Sequence, residues 1–236
     1  MTPTKSPMDN ISTRWCELHG LHDWDGLMEP LHPWLRDIVK YGAFVEATYD
    51  AFDFNPLSEF CGICRYNRIE LFEELDLTKH GYKVTKYIYA MSHVDIPEWF
   101  GRSCCTWSKD SNWMGIVAVS SDAETKRIRR TDILVASRGT VAPTEWYSDL
   151  RTRLQHLGKM NIKVQSEFLC IYCSKGEFTR HDKLRAEEQV LEVLSHSSMP
   201  TTRNFPDPFI SVISFTAPRV GNIHFKEKLN ELGVRC

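Results

Sequence analysis

Apolar positions recur at helical spacing in the first quarter of the chain. The segment between residues 34 and 52 has an apolar residue every three or four positions, namely Trp34, Ile38, Tyr41, Val45, Tyr49 and Phe52. Side chains three and four residues apart lie on one face of an α-helix. The pattern therefore predicts an amphipathic helix over Trp34–Phe52, with this apolar stripe packed on the core.

The pattern changes to strands after residue 112. Residues 113–120 are apolar and rich in β-branched side chains, and residues 132–136 form a second apolar run, so each is predicted to be a buried strand. The charged stretch 122–130 between them is predicted to be a loop. The second strand ends at Arg138-Gly139-Thr140, and residues 144–154 have the spacing of another helix.

The last third of the chain repeats this alternation. Helical spacing predicts helices over residues 180–194 and 224–232, and the run Phe209–Phe215 is predicted to be a buried strand. Residues 195–207 have the composition of a loop throughout. Helices that alternate with apolar strands predict an α/β fold with a mostly parallel sheet covered by helices.

Composition limits the number of domains and the classes of partner. A chain of 236 residues, 42% hydrophobic and 25% charged, is expected to form one domain over residues 15–236, preceded by a flexible N-terminus over residues 1–14. The net charge of -2 gives no excess of cations for a phosphate backbone, so no nucleic-acid partner is expected.

The N-terminal residues show no recognisable sorting signal. Residues 1–10 are polar and lack the apolar centre of a signal peptide, and no Arg-rich and Ser-rich transit segment precedes Trp15. No apolar run reaches the length of a transmembrane helix. The sequence therefore predicts a cytoplasmic protein without a transmembrane segment.

The eight cysteines include two pairs with the spacing of half a zinc site, Cys61-x-x-Cys64 and Cys170-x-x-Cys173. The second pair alternates with apolar residues in a predicted strand-to-helix passage, and thiols are common small core residues in a reducing compartment. A disulfide between the adjacent Cys104 and Cys105 would be strained. The cysteines are therefore interpreted as thiols, and no metal and no cofactor is expected.

Several short blocks, taken in order, carry a resemblance to a known family. They are Tyr41-Gly42 with 47–52, 84–90, 111–115, 138–140 with 145–146 and 149–150, 210–215 and 217–222. Their order and number resemble the plant phospholipase A1 proteins of the class 3, or fungal-type, lipase family. The match extends from about Trp15 to Val234.

The resemblance implies an α/β-hydrolase fold, here incomplete, and hydrolysis of an acyl ester at the sn-1 position of a glycerolipid. It also implies that Thr140 helps to build the oxyanion hole, and that residues 141–154 occupy the position of the lid that opens at a lipid surface. Arg151, Arg153 and His156 make this segment more polar than the family's usual lid. A glycerolipid or a membrane surface is the partner that the resemblance implies.

The catalytic serine of this family lies in a G-x-S-x-G turn between a strand and a helix. The nearest approach is Gly101-Arg102-Ser103-Cys104-Cys105, which lacks the final glycine and has no apolar strand before it, so Ser103 is interpreted as a loop residue. In the family the strand, turn and helix would fall at residues 195–207. That segment contains two prolines and no glycine, and a strand, turn and helix need about 25 residues, so an internal deletion is predicted there.

The segment that follows residue 215 also lacks candidates for the catalytic acid and base. About one helix follows that position, so the part of the family that carries the acid and the base is expected to be missing, and no catalytic residue is predicted. Three hypotheses remain open from the sequence. The chain is an active acyl hydrolase, a non-catalytic relative that binds lipid or a partner, or a truncated gene product without an independent role.

Overall fold

The structure, a computed structural model, describes most of the central part of the chain and parts of its second half. The described residues are 34–55, 57–90, 112–139, 141, 153–158, 161–173, 211–215, 220–232 and 234. Among them, both α-helices and β-strands are present, in agreement with the predicted mixed class.

Helix α1 spans Trp34–Asp50, close to the predicted 34–52. Its buried positions include Tyr41, Phe44, Ala47 and Thr48, which follow the spacing of one helix face. The Thr48 hydroxyl donates to the Val45 carbonyl at 2.6 Å, so this polar group is satisfied inside the core. The predicted apolar stripe is therefore confirmed only in part. Tyr41 and Phe52 are buried, but Tyr49 is 40% exposed, and the buried face of the helix runs through Phe44 and Ala47.

Three strands form the main sheet. They are β1 (Tyr82–Ala90), β2 (Asn112–Ser120) and β3 (Ile133–Ser137), in the order β1-β2-β3. The central strand β2 carries fully buried side chains that pack with those of α1; they include Trp113, Ile116 and Ala118. A Cβ added at Gly115 would lie 2.1 Å from the Ala136 carbonyl oxygen, so glycine permits the close approach of β2 and β3.

Both strand pairs of this sheet are antiparallel, and so is the small pair formed by β4 (Leu154–His156) and β5 (Lys163–Gln165). The prediction of a mostly parallel sheet is therefore not confirmed for the described strands. The connection from β2 to β3 shows the reason. It holds residues 121–132, of which only the seven of Asp122–Ile128 are helical. At about 1.5 Å per residue this helix is about 10 Å long, too short to carry the chain back along the nine residues of β2 to the start of a parallel strand.

The charged stretch 122–130 is mainly helical, so its prediction as a loop was wrong. Helix α3 spans Asp122–Ile128, and the side chain of Ser121 accepts from the main-chain N–H of Glu124 at 3.3 Å. Serine followed three residues later by glutamate is the sequence signature of a capping box. Glu124 also pairs with Arg127 at 2.6 Å, which explains how so polar a segment forms a helix.

Three further helices lie among the described residues. They are α2 (Leu71–Glu74), followed by a single 3₁₀ turn at Thr78–His80, α4 (Ser166–Cys173) and α5 (Ile223–Glu231). Helix α5 matches the prediction for residues 224–232, and the Asn222 side chain caps it by accepting from the Phe225 N–H at 3.1 Å. None of the helices in the described ranges has the length and hydropathy needed to cross a bilayer.

The predicted buried strand at residues 209–215 does not appear where the structure describes it. Residues 211–215 contain a single bridge residue and no continuous strand, and Val212 and Phe215 are partly exposed. An apolar run forms a buried strand only where neighbouring strands and helices cover it. The predicted N-terminus 1–14, the helix 180–194, the loop 195–207 and nearly all of the helix 144–154 lie outside the described residues.

Candidate functional site

The turn that follows β3 is held by several side-chain contacts. The Arg138 main-chain N–H donates to the Met114 carbonyl at 2.8 Å, which extends the ladder between β2 and β3 by one bond. The Arg138 side chain is buried, its Nε donates to the Trp113 carbonyl at 2.9 Å, and its guanidinium lies 3.9 Å from the centre of the Phe52 ring. The cation thus fixes the end of β3 to β2 and to the end of α1.

Both main-chain groups of Gly139 have partners. Its N–H donates to the Tyr49 hydroxyl at 2.8 Å, and its carbonyl accepts from Nη1 of Arg138 at 2.9 Å. A Cβ at this position would lie 2.4 Å from the Tyr49 hydroxyl oxygen, so only glycine fits this contact without a shift. The backbone direction on leaving Gly139 is therefore set by α1 and by Arg138.

Thr140, the residue that the resemblance assigns to the oxyanion hole, lies outside the described residues. The residues on either side of it are described, because Gly139 is held as above and Val141 packs partly buried against the main core. Fixed backbone donors stabilise an oxyanion because they need no reorganisation as charge develops. The assignment of Thr140 stays a prediction, now with a defined support on its N-terminal side.

Sequence reasoning missed the roles of Tyr49 and Arg138. Tyr49 was predicted to lie on the apolar stripe of α1, whereas it is 40% exposed and its hydroxyl holds Gly139, 90 residues later in the chain. A local sequence pattern cannot predict a contact between residues that are 90 positions apart. Arg138 belongs to a block that carries the resemblance, but its burial beneath Phe52 depends on where α1 ends.

The described histidines do not form a catalytic pair with serine. His224 on α5 is half exposed, as predicted for a surface residue, and its Nδ1 lies 3.1 Å from Oε2 of Glu227. His80 packs its ring against Phe44 at 5.4 Å between centroids, and burial lowers the pKa of its imidazole. His156 lies exposed on β4. Ser103 and the segment 142–152 lie outside the described residues.

The two cysteine pairs lie in different surroundings. Cys64 is buried beside β1 and its thiol donates to the Tyr87 hydroxyl at 3.4 Å, while Cys61 is half exposed on the preceding turn. Burial raises the pKa of the Cys64 thiol. Cys170 and Cys173 lie on α4, directly after β5, which agrees with the predicted passage from strand to helix. Within the described ranges, no three His, Cys, Asp or Glu side chains are grouped as metal ligands.

Similarity to characterised proteins extends over almost the whole chain. No family model matches it. The chain is 38% identical to phospholipase A1-Igamma1, chloroplastic, of Arabidopsis thaliana, over 94% of this chain and 52% of the relative. It is 34% identical to the Arabidopsis phospholipase A(1) DAD1, chloroplastic, over 99% of this chain and 60% of the relative. It is also 33% identical to the Arabidopsis galactolipase DONGLE, chloroplastic, over 95% of this chain and 55% of the relative.

These relatives correct one expectation. Their names place them in the chloroplast, so the prediction of a cytoplasmic location was wrong. That prediction rested on the lack of a recognisable sorting segment before Trp15, which was a poor guide to the compartment. The chain spans about half the length of the curated relatives that it matches. With this coverage and identity, the chain belongs to the plant phospholipase A1 family of lipases.

Proposed function

We propose that this polypeptide binds glycerolipid surfaces in the plastid and does not itself cleave esters. The observation that carries the proposal is the absence of any G-x-S-x-G in its 236 residues, in a chain that otherwise matches lipases named for phospholipid and galactolipid cleavage. Loss of the serine or of the histidine alone costs several orders of magnitude in rate. The plastid enters the proposal through the chloroplast names of the relatives.

The length of the alignment supports an internal deletion. The match to the Arabidopsis phospholipase A1-Igamma1 runs over 269 positions, whereas 94% of this 236-residue chain is about 222 residues, so about 47 positions have no residue here. A buried strand, a sharp turn and a covering helix need about 25 residues. A gap of this size accommodates the missing nucleophile segment, and we propose that the gap lies within residues 195–207.

The fold of the described part supports a retained scaffold. The turn that precedes Thr140 keeps its supports from Tyr49 and Arg138. The sheet β1-β2-β3 packs with α1 around a continuous core. We propose that these elements are the first part of an α/β-hydrolase fold of the lipase type, which provides a stable body for lipid binding.

Three measurements test the proposal. The purified chain is incubated with a fluorophosphonate serine-hydrolase probe, and release of fatty acid from phosphatidylcholine and from monogalactosyl diacylglycerol is followed beside the Arabidopsis phospholipase A1-Igamma1 as positive control. We expect neither probe labelling nor release above the buffer rate, together with flotation of the chain on vesicles of the same lipids. A labelled serine, or fatty-acid release at an enzymatic rate, would contradict the proposal.

The alternative is a truncated product without an independent role. It is favoured by the exposure of large apolar side chains, since Leu57, Ile69 and Leu232 are each more than half exposed. This alternative predicts that the purified chain aggregates or unfolds without a cooperative transition. A single sigmoidal urea transition, followed by circular dichroism, would reject it.

A further inference from the structure

Four exposed apolar side chains recur at every third position of the segment between α1 and α2. Phe54 is 50% exposed, Leu57 93%, Phe60 45% and Ile63 37%. We call residues 54–63 the apolar loop. Single exposed apolar residues are common on proteins, whereas four within ten residues point to a surface that contacts an apolar partner.

A series of short turns orders the backbone of the apolar loop. The N–H of Ser58 donates to the Asn55 carbonyl at 3.0 Å, that of Cys61 to the Ser58 carbonyl at 3.2 Å, and that of Ile63 to the Phe60 carbonyl at 2.9 Å. The backbone that carries the four exposed apolar side chains is therefore tied to itself along its length.

Asp53 fixes the base of the apolar loop. Its carboxylate accepts from the Asn55 N–H at 2.9 Å and from the Ser58 hydroxyl at 2.6 Å, and its main-chain groups pair with Ile63 and Gly62 at 3.0 and 2.7 Å. The Asn55 side chain in turn accepts from the Leu57 N–H at 3.1 Å. A loop held in this way presents its apolar side chains in advance of binding, which lowers the entropic cost of docking.

The apolar loop itself carries little charge. Glu59 is the one charged residue in the sequence between Asp53 and Arg65. Arg65 and Arg68 follow the loop, where Arg65 lies 4.0 Å from the Asp53 carboxylate and Arg68 donates to the Thr85 carbonyl. Apolar side chains that enter the boundary of the acyl chains are typical of an interfacial anchor. A protein partner would need a matching pocket, whereas a bilayer needs none.

We propose that the apolar loop is the membrane-docking element of this protein, with Leu57 and Phe60 inserted into a glycerolipid bilayer. The inference rests on the proposed function, because it specifies where the lipid surface binds. It requires no catalytic residue and no contribution from the Arg138–Gly139 turn.

The experiment compares the wild-type chain with Leu57→Ser in flotation on vesicles of phosphatidylcholine, alone and mixed with phosphatidylglycerol. Burial of a leucine side chain predicts a partition coefficient about tenfold lower for Leu57→Ser. Leu232→Ser is the matched control, since Leu232 is 66% exposed and lies at the end of α5. The control should float like the wild type on both kinds of vesicle. Urea unfolding of all three proteins checks that each is folded.

The outcomes separate the docking element from the proposed function. Strong wild-type binding that Leu57→Ser leaves unchanged, or that Leu232→Ser weakens equally, overturns the docking element while lipid binding stands. No wild-type binding to either vesicle overturns both. A change of oligomeric state in Leu57→Ser, with unchanged flotation, assigns the apolar loop to a protein contact and also overturns the inference. Slower amide hydrogen exchange over residues 54–63 on addition of vesicles would support it independently.

Discussion

At the residue scale, a few polar side chains connect parts of the chain that are far apart in sequence. Tyr49 reaches Gly139, Arg138 reaches the Trp113 carbonyl, and the Tyr82 hydroxyl donates to the Asp132 carboxylate at 2.5 Å. A hydrogen bond of this kind contributes about 1 kcal/mol net, and loss of one partner costs more when the other stays buried. These contacts therefore fix local geometry more than they add to total stability.

The Tyr49 hydroxyl provides the first prediction. Tyr49→Phe removes the acceptor of the Gly139 N–H, so we expect a free energy of unfolding lower by about 1 kcal/mol and faster hydrogen exchange at the Gly139 amide. Tyr66→Phe is a suitable control, because Tyr66 accepts the Tyr87 hydroxyl through its main-chain carbonyl. Unchanged exchange at Gly139 in Tyr49→Phe would show that the hydroxyl does not hold the turn.

A second prediction concerns acid stability at the base of the apolar loop. Burial alone would raise the pKa of Asp53, but hydrogen bonds from Ser58 and Asn55 and the charge of Arg65 outweigh it and lower the pKa. A lowered pKa stabilises the folded state above about pH 4, the unfolded value, and this contribution is lost as the pH falls through the folded pKa.

Asp53→Asn should therefore lower the free energy of unfolding near pH 7 by about 1–3 kcal/mol and reduce its loss on acidification below about pH 4. Urea unfolding of the wild type and the variant at several pH values measures both effects. Parallel pH curves for the two proteins would argue against a lowered pKa in the folded state.

At the element scale, the helices follow their local signals more closely than the sheet does. Helix α1 forms where the apolar spacing predicts it, and α3 and α5 begin at side-chain caps, Ser121 and Asn222. Strand direction has no comparable local signal. Whether neighbouring strands pair parallel or antiparallel depends on the length and path of their connection.

The cap of α3 provides a prediction at this scale. Ser121→Ala removes the acceptor for the Glu124 N–H, and the expected loss of stability is about 1 kcal/mol. Ser121→Asp keeps an acceptor at the same position and places a negative charge at the helix N-terminus, so its stability should equal or exceed that of the wild type. Equal destabilisation by both substitutions in urea unfolding would show that the cap does not support α3.

At the scale of the whole molecule, the described part of the chain contains a well-packed core. The core around α1 and β2 includes Phe44, Phe52, Leu71 and Trp113, all almost fully buried. We propose that the unmatched positions of the alignment lie outside this core, within residues 195–207. A family scaffold without a nucleophile is the proposal that follows.

The prediction at this scale concerns the transcript that encodes residues 195–207. Sequencing the transcript across codons 195–207 should recover the chain as printed, without a G-x-S-x-G segment, because the proposal treats the deletion as a property of the protein. A transcript that encodes a strand, the serine turn and a helix at this place would restore the expectation of an active hydrolase.

The sequence by itself determined the family, helix α1, the strands β2 and β3 and the absence of a G-x-S-x-G motif. Each of these follows from the spacing of apolar residues or from short sequence motifs, such as the helical spacing of apolar residues over 34–52. Helix α3 also has a local signal, the capping pair Ser121 and Glu124, although the charged composition of residues 122–130 predicted a loop.

Only the tertiary structure decided the antiparallel order β1-β2-β3, the support of Gly139 by Tyr49, and the exposure of the four apolar side chains in residues 54–63. Each of these depends on which surfaces meet after the chain has folded. An apolar side chain has the same hydropathy whether it is buried or exposed, and a tyrosine hydroxyl carries no local record of a partner 90 residues away. Strand pairing, burial and long-range hydrogen bonds therefore depend on tertiary contacts, which local sequence patterns do not record.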